Sequence, residues 1–149
     1  MGDYNFGGLN PRDFEQFTQA LLKKIVAPGI RPYGDGADGA REATFEGLME
    51  NPTSADRWNG YLVVQCKFRK VVARDTKKDG QWAISQINAD MAKFADSTKG
   101  LRRPDYYLFV TNVALTAQSE TGSKDKVLAA LAGHAQTIGI KEFDVWSYG

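Results

Sequence analysis

The residues with the most chemistry in them stand two apart within an apolar run: Gln65 and Lys67, in YLVVQCKF. If that run is a strand, side-chain alternation puts positions 65 and 67 on one face and turns Cys66 to the other. An amide oxygen beside an ammonium suits phosphodiester hydrolysis. In that reaction oxygen ligands converge on a divalent metal that neutralises the phosphate and acidifies water, and a nearby cation assists the attack. A lysine on a buried strand also needs company, because Lys is seldom fully buried without a partner. An acid is therefore expected opposite Lys67. Asp38, in the turn GDGADG, is placed to supply it, although Asp-Gly is equally ordinary turn chemistry. Cys66, the only cysteine, has no histidine near it in sequence and reads as a small core filler.

The elements that must position these residues follow from periodicity and punctuation. Asn10 is expected as an N-cap, with Pro11 at the first helical position and Asp13 where an acid complements the helix dipole. Phe14, Phe17, Leu21, Leu22 and Ile25 then recur as one helical stripe, and Pro28-Gly29 stops it. A short strand is expected over Ile30 to Tyr33, then the turn Gly34 to Gly39 and a second strand through Glu42 to Glu46. Gly47 to Asn59 reads as a loop, since Asn51, Pro52, Thr53, Ser54 and Asp56 favour turns. Tyr61 to Phe68 is the strongest strand, central because Leu62, Val63 and Val64 are all apolar. A helix marked by Trp82, Ile84, Ile87, Met91, Phe94 and Ala95 follows, then an interior strand over Asp105 to Val113. Val127, Leu128, Leu131, Ala135 and Ile138 mark a third helix closed by Gly139, and Lys141 to Tyr148 supplies a last strand. The order is αβββαβαβ, an α/β class in which a three-strand meander and helical crossovers build a mixed sheet flanked by helices.

Composition sets outer bounds. The chain of 149 residues, 42% hydrophobic and 25% charged, fits one soluble domain over 1–149, with no apolar run near the roughly 18 residues of a membrane span. The polar, Gly-rich start shows no secretory pattern, and one cysteine suits a reducing cytoplasm. The last strand ends almost at Gly149, as in an N-terminal module of a longer protein. Net charge is only +1, but KFRKVVARDTKK carries six basic residues against one Asp, and Lys99, Arg102 and Arg103 form a second group. Such clusters can follow a phosphate backbone or lie solvated in water. Because Arg69, Lys70, Arg74, Lys77 and Lys78 extend from the strand bearing Lys67, they are expected to bind DNA without reading its sequence.

Together, the helix, the D-G turn, the Gln65-Cys66-Lys67 strand and the helix after it resemble the PD-(D/E)XK restriction-endonuclease-like superfamily. The likeness is to its Mrr-like branch, where the second half-motif is often Q-x-K. GDGADGAREATFEG followed by WNGYLVVQCKF also looks like N-terminal effector nucleases fused to NACHT- or STAND-type NTPases in bacterial anti-phage systems. The resemblance covers Asn10 to Phe68; the remainder agrees in element order only. It implies a restriction-endonuclease-like sheet and a magnesium-dependent endonuclease, manganese being an alternative ion. It further implies a homo-oligomer for double-strand cleavage, a C-terminal NTPase or sensor domain, and a bacterial cytoplasmic setting. Asp38 becomes the central metal ligand, Lys67 the residue that orients or activates water, and Gln65 a weaker ligand, with the Cys66 backbone carbonyl beside it. An amide at position 65 leaves the site one carboxylate short. Glu15 on the first helix is a candidate to make this good, though equally an exposed acid near a helix start, and Glu42 is another. Gln86 on the second helix is a further polar residue for the scissile phosphate.

Other residues read as structural: His134 as a surface or packing residue, Trp58 and Trp82 as core or loop anchors. The main rival is a non-catalytic nucleic-acid- or partner-binding module on the same fold, with Gln65 marking a decayed site. A phosphate-binding NTPase is disfavoured, because GDGADG lacks the G-x-x-x-x-G-K-[ST] pattern.

Overall fold

The computed structural model of the chain describes residues 3–4, 10–26, 29, 34–35, 41–49, 58–69, 76–115 and 122–148. Its elements run β1 (Asp3–Tyr4), α1 (Pro11–Ile25), β2 (Gly34–Asp35), β3 (Arg41–Met49), β4 (Trp58–Lys67), α2 (Thr76–Ala95), β5 (Tyr106–Ala114), α3 (Ser123–Ile138) and β6 (Glu142–Tyr148). The sheet order is β1-β6-β5-β4-β3-β2, four long strands with a two-residue piece at each edge. β3 is antiparallel to both β2 and β4, while β4, β5 and β6 are parallel to one another. The sheet is therefore mixed, in an α/β arrangement.

Two cores, one on each face, define the layers. Phe14 and Leu22 of α1 and its C-cap Val26 pack with Leu62, Val64 and Cys66 of β4 and with Leu108, Val110 and Trp146 of the later strands. On the other face, Ala83, Ile87 and Met91 of α2 and Val127 and Leu131 of α3 cover Val63, Tyr107, Phe109 and Val145. Both crossovers step the same way across the sheet, and a consistent crossover hand then puts α2 and α3 on one face. Cys66, 3% exposed, is the core filler its position implied.

The first helix forms as its residues dictate. The Asn10 side chain accepts the Asp13 N–H at 2.8 Å, Pro11 opens the helix, and Lys23 and Lys24 sit at its negative end. Elsewhere the elements outrun the sequence signals. β3 continues to Met49 and β4 starts at Trp58, because Met49 and Trp58 pair across the hairpin and both are buried; apolar burial carries the ladder into a stretch that reads as loop. The strand expected over Ile30 to Tyr33 lies outside the described residues, and Gly34–Asp35, expected as turn, pairs with Glu42 and Arg41. Helix α2 begins at Thr76, ahead of its first periodic residue. Its opening turns, TKKDG, have no apolar stripe and are held instead by Asp79, 1% exposed, and by Gly80.

Gly80 is where α2 meets α3: a Cβ there would lie 2.6 Å from the Ser123 Cβ. Helix propensity alone favours Ala over Gly by about 1 kcal/mol, whereas overpacking costs about 1–3 kcal/mol. Gly80→Ala is expected to destabilise the protein in urea unfolding, and Gly80→Ala with Ser123→Gly to recover most of the loss.

Asp144 on β6 is 8% exposed, and its Oδ2 has no hydrogen-bond partner among the described residues. Burial pushes its carboxyl up to about 6, against the opposing effects of the Val145 N–H, Lys124 and the Trp146 indole. Because the folded value exceeds the unfolded one, the folded chain binds the extra proton between these values, and stability falls as pH rises through that window. The charge costs on the order of 2–3 kcal/mol once pH passes the folded value. Asp144→Asn is expected to raise the melting temperature over wild type at pH 8 and to lose that advantage towards pH 4.

Candidate functional site at the end of β4

Lys67 is the last residue of β4, next to Thr111 of β5 in register. Gln65 and Lys67 are 6% and 5% exposed and face α2, since Cys66 between them belongs to the α1 core. The acid that Lys67 requires is Asp90 of α2: Lys67 Nζ lies 3.4 Å from its Oδ1, with side chains 6% and 4% exposed. Asp90 stands on the buried side of α2 among Ile87, Met91 and Phe94, so the helix core fixes its place. The signal for it was present as an acid interrupting that apolar stripe, one helical turn after Gln86. Gln86 itself is half-buried.

Just past Lys67 the chain is clamped. The Asn112 side chain accepts the Arg69 N–H at 2.7 Å and donates to the Arg69 carbonyl at 3.0 Å, extending the β4–β5 pairing by side chain alone. The Arg69 guanidinium bonds Asp79 Oδ1 at 2.6 Å and lies over Trp82, 5.7 Å from the ring centroid. Two cations at the end of β4 thus meet two buried acids of α2, Arg69 with Asp79 and Lys67 with Asp90.

The other sequence-derived residues divide as follows. Position 42 is directly opposite Gln65 in the β3–β4 register. Asp38, Lys70 and Arg74 lie outside the described residues. Glu15 is half-buried on α1, the helix whose apolar stripe packs on the Cys66 face of the sheet. Lys77 and Lys78 fall in the first turn of α2, where Lys78 is exposed. Arg69 is an internal clamp with its side chain 26% exposed, so the basic run is not uniformly a phosphate-facing surface.

The second basic group is likewise engaged within the protein. The Arg103 Nε donates to the Phe94 carbonyl at 3.1 Å and caps the end of α2. Arg102 forms a two-point ion pair with Glu46 and lies 4.1 Å from the centroid of Tyr61; its hydrogen bond to Glu46 holds that carboxyl below its ordinary value. A cavity of about 410 Å³ lined by Gly29, Thr44, Phe45, Glu46, Tyr61 and Arg102 belongs to this end of the sheet. It is roughly 20 Å of strand away from Lys67 and holds none of the candidate residues. His134 bridges to Asn88 at 2.7 Å on the surface of the two helices, and Trp58 is buried, stacked on Tyr106 with centroids 4.9 Å apart.

No family model, no curated protein and no solved structure matches the chain. Among the described residues no group of three His, Cys, Asp or Glu side chains is assembled for a metal. None of the described helices is long and apolar enough to cross a membrane.

A buried ion pair is weak evidence for stability but dangerous to halve: removing one partner costs about 3–5 kcal/mol, whereas replacing both by apolar residues is often neutral. Lys67→Ala and Asp90→Ala are each expected to destabilise by that order, and Lys67→Met with Asp90→Leu to return close to wild type. Urea unfolding of the two single variants and the double variant measures both outcomes.

Proposed function

We propose that this chain is a metal-dependent DNA endonuclease of the PD-(D/E)XK restriction-endonuclease-like kind, cutting phosphodiesters with little sequence preference. The observation that carries the reading is Gln65 and Lys67 side by side at the carboxyl end of a central strand, with position 42 opposite Gln65. In open α/β sheets, ligands gather outside the carboxyl ends of the strands. A mixed α/β sheet flanked by helices is the general class to which the resemblance points, but a fold accommodates many functions and the site carries the argument.

The candidate donors are hard oxygens: the Gln65 amide and the Cys66 backbone carbonyl, with Asp38 and Glu42 as the carboxylates that the resemblance calls for. Such a set fits magnesium, which keeps several waters and takes one or two carboxylates, and it also accepts manganese. When bound, the ion neutralises charge on the phosphate and acidifies water. Asp38 and Glu42 supply the negative charge that Gln65 lacks. Gln65 orients a water or an ion through its amide oxygen, and Lys67 holds positive charge where the attacked phosphate gains negative charge. Lys78, exposed in the first turn of α2, is left to contact the phosphate backbone. Double-strand cleavage by two protomers, a C-terminal NTPase or sensor domain, and a role in bacterial anti-phage defence within the cytoplasm belong to the same reading.

A plasmid-nicking assay tests it. Wild type with magnesium is expected to nick and linearise plasmid, and chelation to stop it. Asp38→Ala and Lys67→Met, with folding checked by circular dichroism, are expected to lose about 100-fold or more, the scale of a lost electrostatic contribution. Variants cutting at the wild-type rate would remove the assignment and leave a non-catalytic binding module on this fold.

A further inference from the structure

The charges at the end of β4 raise a question that stability does not answer. Lys67 meets Asp90 on the buried side of α2, where the neighbouring residues Ala83, Ile87 and Met91 are all buried and apolar. An apolar pair of similar volume would pack in such a place at little or no cost in stability. Around the pair, however, the polar residues of the sheet concentrate: Gln65 two residues before Lys67, Thr111 beside it in register, and Asn112 holding the next turn of chain through Arg69. We propose that Asp90 is the positioning residue for Lys67, the acid that fixes the ammonium beside Gln65 so that it meets a phosphate as a stationary positive charge.

Three features of the geometry support this role. Asp90 is 3% exposed and set in the α2 core, so its carboxylate has no freedom to follow the lysine; the lysine is held to it. The Nζ–Oδ1 separation of 3.4 Å exceeds the 2.7–2.9 Å of the tightest charge-assisted bonds. An ammonium has three donors, so one carboxylate contact engages only part of its hydrogen-bonding capacity. Finally, Arg69 two residues further on is tied to Asp79 on the same helix at 2.6 Å, so the strand end cannot carry Lys67 away from α2. Asp90 is thus a positioning group that acts through Lys67. The inference rests on the endonuclease reading, and it casts Lys67 as a stabiliser of charge rather than a proton acceptor.

The test is steady-state cleavage of plasmid DNA by the full chain with magnesium, comparing wild type, Lys67→Met, Asp90→Asn and Asp90→Glu. Asp90→Asn is expected to lower kcat about tenfold or more while KM for DNA stays within about twofold, because the contact acts where charge develops. Asp90→Glu, which keeps the charge, is expected to recover a substantial part of kcat. An independent reading on the wild-type protein covers an Asp90→Asn chain that fails to fold. The side-chain ammonium resonance of Lys67, assigned by its loss in Lys67→Met, should be visible and protected from hydrogen exchange. An absent or rapidly exchanging resonance overturns the proposal, as does Asp90→Asn with wild-type kcat while Lys67→Met is inactive; neither touches the endonuclease reading. Wild type without cleavage, or Lys67→Met cutting at the wild-type rate, sinks that reading and this inference with it.

Discussion

A cation closed off from water at the end of a central strand must be answered by an anion, and much of this structure is arranged around that demand. Lys67 is 5% exposed, and the cost of burying an ammonium alone far exceeds what the surrounding apolar contacts return. The answer comes from α2, which must lie along β4 closely enough to present Asp90 and must begin early enough to present Asp79 to Arg69. The Asn112 clamp fixes the chain just past this strand end, and the close approach of Gly80 to Ser123 seats the start of α2 against α3.

The same arrangement separates functions by face. The α1 side of the sheet is an apolar core, with Cys66 and Trp146 packed among aliphatic residues, and Asp144 on β6 carries a charge whose burial costs stability above its elevated carboxyl range. The α2 and α3 side is apolar through the middle and polar at the carboxyl ends of β4 and β5, where Gln65, Lys67 and Thr111 sit. On the proposed endonuclease reading, such a boundary suits a phosphate, because a fixed charge acts strongly where water is excluded.

Basic residues illustrate how little a charge count says about a surface. Arg69, Arg102 and Arg103 all lie in clusters that suggest nucleic-acid contact, and all three are engaged within the chain, with Asp79, with Glu46, and with the end of α2. Guanidinium groups are suited to planar carboxylate and carbonyl partners, so a folded protein with such partners nearby uses them for itself. An electrostatic footprint on the described residues is accordingly narrower than the sequence implies.

Local rules were enough to determine the N-cap and start of α1, the central strand with Gln65 and Lys67 on one face, the stripe of α2, the Gly139 stop of α3 and the mixed sheet, because these depend on periodicity and on backbone preferences of single residues. They also required an acid for Lys67. Which acid could only be decided by tertiary packing, since Asp90 lies 23 positions along the chain and reaches the lysine through a helix that folds back across the sheet. Packing likewise extended β3 to Met49 through its pairing with buried Trp58, set α1 on the Cys66 face of the sheet, and turned Arg69 inward. Partners and faces of this kind are set by where distant segments meet, and nothing in a local window of sequence carries that information.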